Sequence, residues 1–196
     1  MDSKSINKEK YITEFCGFPS NYMKSCFNMV DNNLSKKGLD VYVTSDFNIE
    51  DVDCEINLKN KSGIDYCDFI SSVSRQKLSA AKCGKSDIII QNRGIIDIYF
   101  WYQYLYKEGY ISIEDYKLIL ECLSNDLKDV DKIFVFNNKK HIFVYRNRLG
   151  NNVFSDIIKN TDTKFSFINT DSCDSLECSS LISDQVFNGY SKKLKK

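Results

Sequence analysis

The segment GFPSNYMKSC, residues 17–26, has the layout of a phosphate-binding loop. It follows a short stretch with strand propensity and leads into a sequence of helical periodicity, so Gly17, Lys24 and Ser25 would lie between a strand and a helix N-terminus. Backbone amides in such a loop, together with the helix end, favour a bound anion. Lys24 would supply positive charge to the terminal phosphates, and Ser25 would supply a hydroxyl ligand for Mg2+.

The loop departs from the usual G-x4-G-K-[ST] pattern in two ways. Six residues separate Gly17 from Lys24, one more than the pattern has, and Met23 takes the place of the second glycine. A side chain at that position is expected to crowd the phosphate. The alternative is an ordinary strand-to-helix loop without a ligand.

Polar residues also follow two other predicted strands. Asp46 comes after the second strand, where it could contact a substrate hydroxyl or Mg2+, or cap a turn. Asn92, Arg93 and Gly94 follow a run of three isoleucines. Because ligands of parallel sheets bind at the carboxyl ends of the strands, Arg93 is expected in the same crevice as the loop, with a structural ion pair as the alternative.

Arginine is scarce in this chain. Four arginines (Arg75, Arg93, Arg146 and Arg148) stand among 27 basic residues. Arginines that remain in a lysine-rich composition are candidates for positions that need a planar guanidinium group, for instance on a phosphate. The alternative is chance survival in ordinary ion pairs.

Composition excludes several classes of protein. The 27 basic and 27 acidic residues balance, so the chain lacks the basic excess of a dedicated binder of nucleic acid or anionic membranes. No apolar run is long enough to span a membrane, and the first ten residues lack the apolar core of a signal peptide. We therefore expect a cytoplasmic protein with no membrane partner and no nucleic-acid partner; a minor role of the basic C-terminus on nucleic acid and a homodimer stay open.

The eight cysteines and the single histidine argue against zinc and against Ser-His or Cys-His hydrolysis. None of the cysteines forms a C-x2-C pair, and His141 lies in the apolar run HIFVY, which favours a strand or core position. Without a secretory signal, the cysteines are expected to be reduced, buried thiols.

Strands and helices alternate along the chain, which predicts an α/β domain with a parallel sheet and one helical layer on each side. We expect one domain over residues 11–187, a flexible polar tail at 1–10 and a solvated basic tail at 188–196. The predicted strands are 11–16, 39–45, 86–91, 132–137 and 164–170, with 141–146 as a further strand that could form a hairpin with 132–137. The predicted helices lie at about 23–37, 66–82, 97–107, 112–127, 150–160 and 176–187.

Three stretches, in this order of elements, resemble the thymidylate kinase and deoxynucleoside kinase group of P-loop kinases. Residues 69–94 (FISSVSRQKLSAAKCGKSDIIIQNRG) resemble the family's helix with a substrate-binding arginine, followed by a strand that ends in Asp-Arg or Glu-Arg. Residues 92–116 (NRGIIDIYFWYQYLYKEGYISIEDY) resemble the aromatic-rich helix that packs beside the substrate, then a glycine turn and another helix. Residues 144–150 (VYRNRLG) resemble the arginine-bearing lid over the phosphates.

The resemblance implies a three-layer α/β/α sandwich with a mainly parallel five-stranded sheet, ATP with Mg2+ as phosphoryl donor, and a nucleoside or nucleoside monophosphate as acceptor. Arg75, Asn92 and Arg93 map onto acceptor positions, and Asp46 onto the family's acidic residue after the second strand. Arg146 and Arg148 map onto the lid. Asn92 stands where the family has a carboxylate.

Two functions follow from these residues. The first is ATP-dependent phosphoryl transfer to a nucleoside or nucleotide: Gly17, Lys24 and Ser25 hold the donor and Mg2+, and Asp46 orients or deprotonates the acceptor. The arginines at 75 and 93 bind the acceptor, and those at 146 and 148 stabilise charge on the transferring group. The alternative is a catalytically inactive homologue that serves as a nucleotide-binding or protein-interaction module. An unrelated α/β binding domain is a third reading.

Overall fold

The computed structural model describes residues 9–17, 21–44, 62–92, 94–137 and 164–195. Five strands lie in them: β1 (Tyr11–Gly17), β2 (Val41–Thr44), β3 (Ile88–Asn92), β4 (Lys132–Asn137) and β5 (Lys164–Asn169). Five helices accompany the strands: α1 (Asn21–Lys36), α2 (Ser62–Cys83), α3 (Ile95–Lys107), α4 (Ile113–Leu127) and α5 (Ser175–Lys193). The further strand predicted at 141–146 and the helix predicted at 150–160 fall outside the described residues.

The five strands form one parallel sheet in the order β2-β3-β1-β4-β5. All seven residues of the central strand β1 are buried, and the three isoleucines of β3 are fully enclosed. Such strands are covered on both faces, as parallel sheets require. The predicted α/β sandwich with a five-stranded parallel sheet is confirmed.

Two apolar cores lie on opposite faces of the sheet. One joins β1, β3 and β4 to α3, α4 and the end of α2, and the other joins the same strands to α1 and α5. The helix ends are fixed by local chemistry. Ser112 accepts a hydrogen bond from the amide of Asp115 at the start of α4, and Gly109 takes a φ of +77° in the turn between α3 and α4. Within the described ranges, no helix is long and apolar enough to cross a membrane.

The C-terminal segment differs from the expected solvated tail that starts at residue 188. Helix α5 continues to Lys193, and Tyr190 is buried. The hydroxyl of Tyr190 donates to Asp87 Oδ1 at 2.9 Å, and Lys193 Nζ lies 2.8 Å from Asp131 Oδ1. Tyr190 continues the apolar i, i+4 spacing of Ile182 and Val186 by one more turn. The lysines that follow Tyr190 made this continuation hard to recognise in the sequence.

The described cysteines are mixed in exposure. Cys16, Cys26 and Cys178 are buried as expected, and Cys173 is half-buried. Cys83 and Cys122 are exposed on helices, which corrects the expectation of uniformly buried thiols.

Candidate functional site

The strand order creates a switch point at the carboxyl end of the sheet. The connection after β1 crosses towards β2, whereas the connection after β3 crosses towards β4 on the other face. Ligands of open parallel sheets bind in a crevice at such a point, so the expected crevice lies between the ends of β1 and β3. Gly17 ends β1 and Asn92 ends β3, so these two residues lie side by side at this edge of the sheet.

Gly17 turns the chain out of the sheet towards α1. Its φ is +131°, a conformation that side chains rarely adopt. A Cβ atom there would also overlap the carbonyl oxygen of Phe136 on the neighbouring strand β4. Glycine is therefore required at this position by backbone geometry, whether or not a ligand binds.

The first turn of α1 presents a lysine and no acidic residue. Lys24 is exposed and Ser25 is half-buried. Met23 is only 3% exposed and packs in the core that α1 and α5 share, so its side chain is directed into the protein; the expected crowding of a phosphate stays a prediction. A positive side chain at a helix N-terminus, next to the crevice, suits an anion.

Asp97 brings a carboxylate to the same edge. It lies in the first turn of α3, and its Oδ1 accepts a hydrogen bond from the amide of Gly17 at 3.4 Å. This carboxylate is half-buried, and it places negative charge beside the amide that begins the loop. Sequence reasoning read Asp97 only as the start of a helix; its contact with Gly17 spans 80 positions and has no local signal.

Glu14 is a fully buried carboxyl group beneath the start of α3. Its Oε1 accepts from the amide of Ile96 at 2.8 Å, and its Oε2 accepts from the amide of Ile95 at 3.0 Å. A Cβ on Gly94 would lie 2.6 Å from Glu14 Cδ, so glycine at 94 makes room for this carboxyl group. Sequence reasoning missed Glu14, although a charged residue inside the buried strand YITEFC was a usable signal.

Two opposing effects act on the pKa of Glu14. Burial, and then the nearby charge of Asp97, raise it, whereas hydrogen bonds from backbone amides at the start of α3 lower it. The net effect raises the pKa from 4.5 to about 8. Glu14 is therefore mostly protonated at neutral pH.

Asn92 lies at the end of β3, beside β2. Its backbone N–H donates a hydrogen bond to Thr44 Oγ1 at 3.2 Å, and this bond joins the ends of β2 and β3. Its side-chain Oδ1 is buried and has no hydrogen-bond partner within the described part of the chain. An amide oxygen in this state can accept from a ligand donor in the crevice.

Arg75 lies on α2 and pairs with Asp126 near the end of α4, with Nε 2.6 Å from Oδ2. Both residues line a cavity of about 210 Å³ that also reaches Gln91 on β3 and Ile95 on α3. Gln91 is 2% exposed, and its Oε1 has no hydrogen-bond partner among the described residues. The cavity thus connects the helical flank around Arg75 with the segment at the end of β3.

The remaining sequence-predicted site residues are Asp46, Arg93, Arg146 and Arg148, and they lie outside the described residues. The structure brings Gly17, Lys24, Ser25 and Asn92 to the carboxyl edge. Arg75 is on the helical flank, engaged with Asp126. Convergence of all four arginines on one crevice stays a prediction.

The described residues contain no cluster of three metal-ligating side chains. The donors at the crevice nevertheless fit a nucleotide phosphate accompanied by a divalent cation. Lys24 and the start of α1 suit the anion, and Asp97 with the hydroxyl of Ser25 suits a hard cation such as Mg2+, which keeps several waters and needs few protein ligands.

Comparison with known proteins identifies the fold. No family model and no curated protein sequence matches this chain. Deoxyadenosine kinase from M. mycoides with bound dATP is similar at a TM-score of 0.56 and 16% identity, over 90% of this chain and 99% of that chain. The same kinase with products dCMP and a flexible dCDP has a TM-score of 0.48 at 14% identity, over 90% of this chain and 99% of that chain. YorR protein from Bacillus subtilis in complex with phosphorylated GDP has a TM-score of 0.42 at 13% identity, over 90% of this chain and 95% of that chain.

At such identities the likeness establishes architecture, and the match at 0.56 carries it. The narrower resemblance to thymidylate kinase stays a prediction. The five-stranded parallel sheet with its flanking helices is an architecture that this chain shares with the deoxyadenosine kinase.

Proposed function

We propose that this protein is a nucleoside or nucleoside monophosphate kinase that transfers a phosphoryl group from ATP. The observation that carries the proposal is that α1 follows β1 at the switch point and has the exposed Lys24 in a first turn free of acidic residues. The fold is shared with a deoxyadenosine kinase.

Gly17, Lys24 and Ser25 form the donor side of the proposed site. The amides at the start of α1 and the ammonium of Lys24 bind the donor phosphates, and the Ser25 hydroxyl is a ligand for Mg2+. When bound, Mg2+ supplies charge neutralisation on the phosphates. We assign the half-buried carboxylate of Asp97, whose Oδ1 lies 3.4 Å from the amide nitrogen of Gly17, to that cation.

The acceptor side lies towards β3 and α2. Asn92 ends β3 and Arg93 follows it in the sequence, and both act on the acceptor. Asp46 follows β2 in the sequence and orients or deprotonates the acceptor hydroxyl. Arg75 borders the cavity of about 210 Å³, which has room for about seven waters or a small ring system. Arg146 and Arg148 act on the charge of the transferring phosphoryl group.

A second candidate is a catalytically inactive homologue that binds nucleotides or proteins. Asn92 favours it because an amide replaces the carboxylate that the family has at this position. Asp97 also favours it, because its carboxylate occupies the amide of Gly17, a donor that a phosphate needs.

A thermal-shift panel of nucleosides and nucleotides, each with and without Mg2+, separates binding from non-binding. A ligand that binds only the folded state stabilises it by about 2.7 kcal/mol at a hundredfold excess over Kd. ADP release from ATP in the presence of nucleosides and monophosphates then separates the kinase from the inactive homologue. Absence of a shift with every nucleotide would leave an unrelated binding domain.

Lys24→Ala tests the phosphate loop directly. Lys24 is exposed, so its removal should change stability by less than about 0.5 kcal/mol, whereas kcat should fall strongly because its charge acts on the transition state. Lys36→Ala is the matched control, an exposed lysine at the opposite end of the same helix. Equal turnover of the two variants would refute the placement of the loop.

Arg93→Lys tests a bidentate contact with the acceptor. Lysine keeps the charge but loses the planar fork, so a bidentate phosphate contact weakens while an ordinary ion pair does not. We expect a raised KM for a monophosphate acceptor, measured in the same ADP-release assay. An unchanged KM and kcat would assign Arg93 to a structural ion pair.

A further inference from the structure

Three cysteines meet where α1 packs against the start of α5, on the sheet face opposite Glu14. Cys26 on α1 and Cys178 on α5 are 0% and 1% exposed, and their sulfur atoms lie 3.6 Å apart. Cys173, just before α5, is half-buried and adjoins the pair. Cys26 and Cys178 are 152 positions apart in the chain, so no local sequence pattern indicates their pairing.

The surroundings distinguish the two thiols chemically. Cys178 lies in the first turn of α5, after the N-cap Asp174, where the helix end favours a thiolate. A hydrogen bond from Cys26 lowers the pKa of Cys178, burial and the charge of Asp174 raise it, and bonds from Tyr22 and Cys173 lower it further, so that the net effect is a lowered pKa. The same hydrogen bond raises the pKa of Cys26, so Cys26 is the donor of the pair and Cys178 the sulfur that it favours as a thiolate.

We propose that Cys26 and Cys178 form a reversible disulfide when the protein meets hydrogen peroxide. The Cys178 thiolate attacks a peroxide oxygen: an S–O bond forms, the O–O bond breaks, and the departing hydroxide takes up a proton as water. The sulfur of Cys26 then attacks the sulfenic sulfur, its proton leaves with the displaced hydroxyl as a second water, and the S–S bond closes. Two thiols are oxidised and one peroxide is reduced.

The geometry needs only a small adjustment. A disulfide has an S–S length of about 2.05 Å, so the two sulfur atoms must approach by about 1.5 Å from their present 3.6 Å. The bond would join the helix that carries Lys24 and Ser25 to the last helix of the chain.

Peptide mapping of the oxidised full-length protein tests the proposal. Reduced protein is treated with hydrogen peroxide, alkylated, and digested without reductant by trypsin and a protease that cleaves after glutamate. Cleavage after Lys24 and Lys36 isolates Cys26, and cleavage after Glu177 separates Cys173 from Cys178. We expect one intramolecular cross-link between Cys26 and Cys178, an intact mass lower by about 2 Da, and full reversal by dithiothreitol.

Variants assign the order of events. In Cys26→Ser, Cys178 should accumulate a sulfenic acid that reacts with dimedone, whereas Cys178→Ser should form neither product. Cys122→Ser is the matched control, because Cys122 is exposed on α4, and it should keep the cross-link. A bond between Cys173 and Cys178, a bond to Cys83 or Cys122, or disulfides only between molecules would overturn the proposal. The map of the unmodified chain decides the matter even where a serine variant fails to fold, and it is independent of any kinase activity.

Discussion

Replacing Glu14 by glutamine should remove a large part of the pH dependence of stability. Glu14 is fully buried, and its pKa is raised from 4.5 to about 8 by burial and by Asp97. A raised carboxyl pKa means that the folded state holds a proton that the unfolded state has released. Stability from this group is therefore complete below about pH 4.5, falls as the pH rises through the window to about 8, and stays constant above it.

The size of the effect follows from the two pKa values. One proton changes the free energy of unfolding by at most about 1.36 kcal/mol per pH unit. Between pH 5 and pH 7, Glu14 should cost the wild type about 2.5 kcal/mol, since at pH 5 the unfolded carboxyl group is already mostly ionised. For a chain of this size the loss corresponds to roughly 5–10 °C in Tm.

Glu14→Gln keeps the shape of the side chain and removes the proton equilibrium. At low pH the variant should be less stable by about 1–3 kcal/mol, because the glutamine NH2 faces one of the two backbone N–H groups that Glu14 accepts from. The decisive quantity is the difference between the two chains, because every other titrating group is common to both.

Urea unfolding of both chains at half-unit steps from pH 4.5 to 8.5 measures this difference. We expect the wild type to lose its advantage as the pH rises and the variant to equal or exceed it near pH 8. A constant difference across the range would show that Glu14 has the same pKa in both states. A difference that grows with pH would show that the amides of α3 hold Glu14 as a carboxylate, and either result would refute the reasoning.

Three further changes test other parts of the fold. Gly17→Ala forces a side chain into a positive φ and against the backbone of the neighbouring strand, so it should cost at least about 2 kcal/mol in urea unfolding. Deletion of residues 188–196 removes the buried Tyr190 and should lower stability by about 3 kcal/mol or more, whereas a solvated tail would be lost without effect. Asp97→Asn removes a charge that raises the pKa of Glu14. In this variant the fall in stability with rising pH should therefore end at a lower pH than in the wild type.

Fold class was accessible from the sequence because its signals are local. The run of isoleucines predicted the strand that became β3. The period of α4 predicted one apolar face with Tyr116, Ile119, Leu120, Leu123 and Leu127, of which Ile119 and Leu120 are only half-buried. The end of α5 was not accessible in the same way. The last turns of the helix are held by the hydrogen bond from Tyr190 to Asp87, a partner 103 positions away.

The candidate site was predictable only where it depended on the order of the elements. Gly17 and Asn92 share an edge because each ends a parallel strand, and that follows from alternation alone. Arg75 shows the limit, since its partner Asp126 depends on how α2 and α4 pack. Glu14 was overlooked because strand propensity is an average over a whole segment. The role of this one buried carboxyl group depends on the amides of Ile95 and Ile96 at the start of α3, which the local sequence does not show.

The charges at the carboxyl edge bear on what can bind there. Burial keeps Glu14 protonated near neutral pH, and Asn92 is uncharged, so Asp97 contributes the negative charge at the amide of Gly17. Lys24 and the start of α1 oppose it with positive potential. A phosphate without a cation would be repelled by Asp97, whereas a divalent cation would be attracted to it and would carry the phosphate with it. Nucleotide binding at this edge should therefore depend on Mg2+ more strongly than the neutral net charge of the chain suggests, and the paired measurements with and without Mg2+ carry more information than either alone.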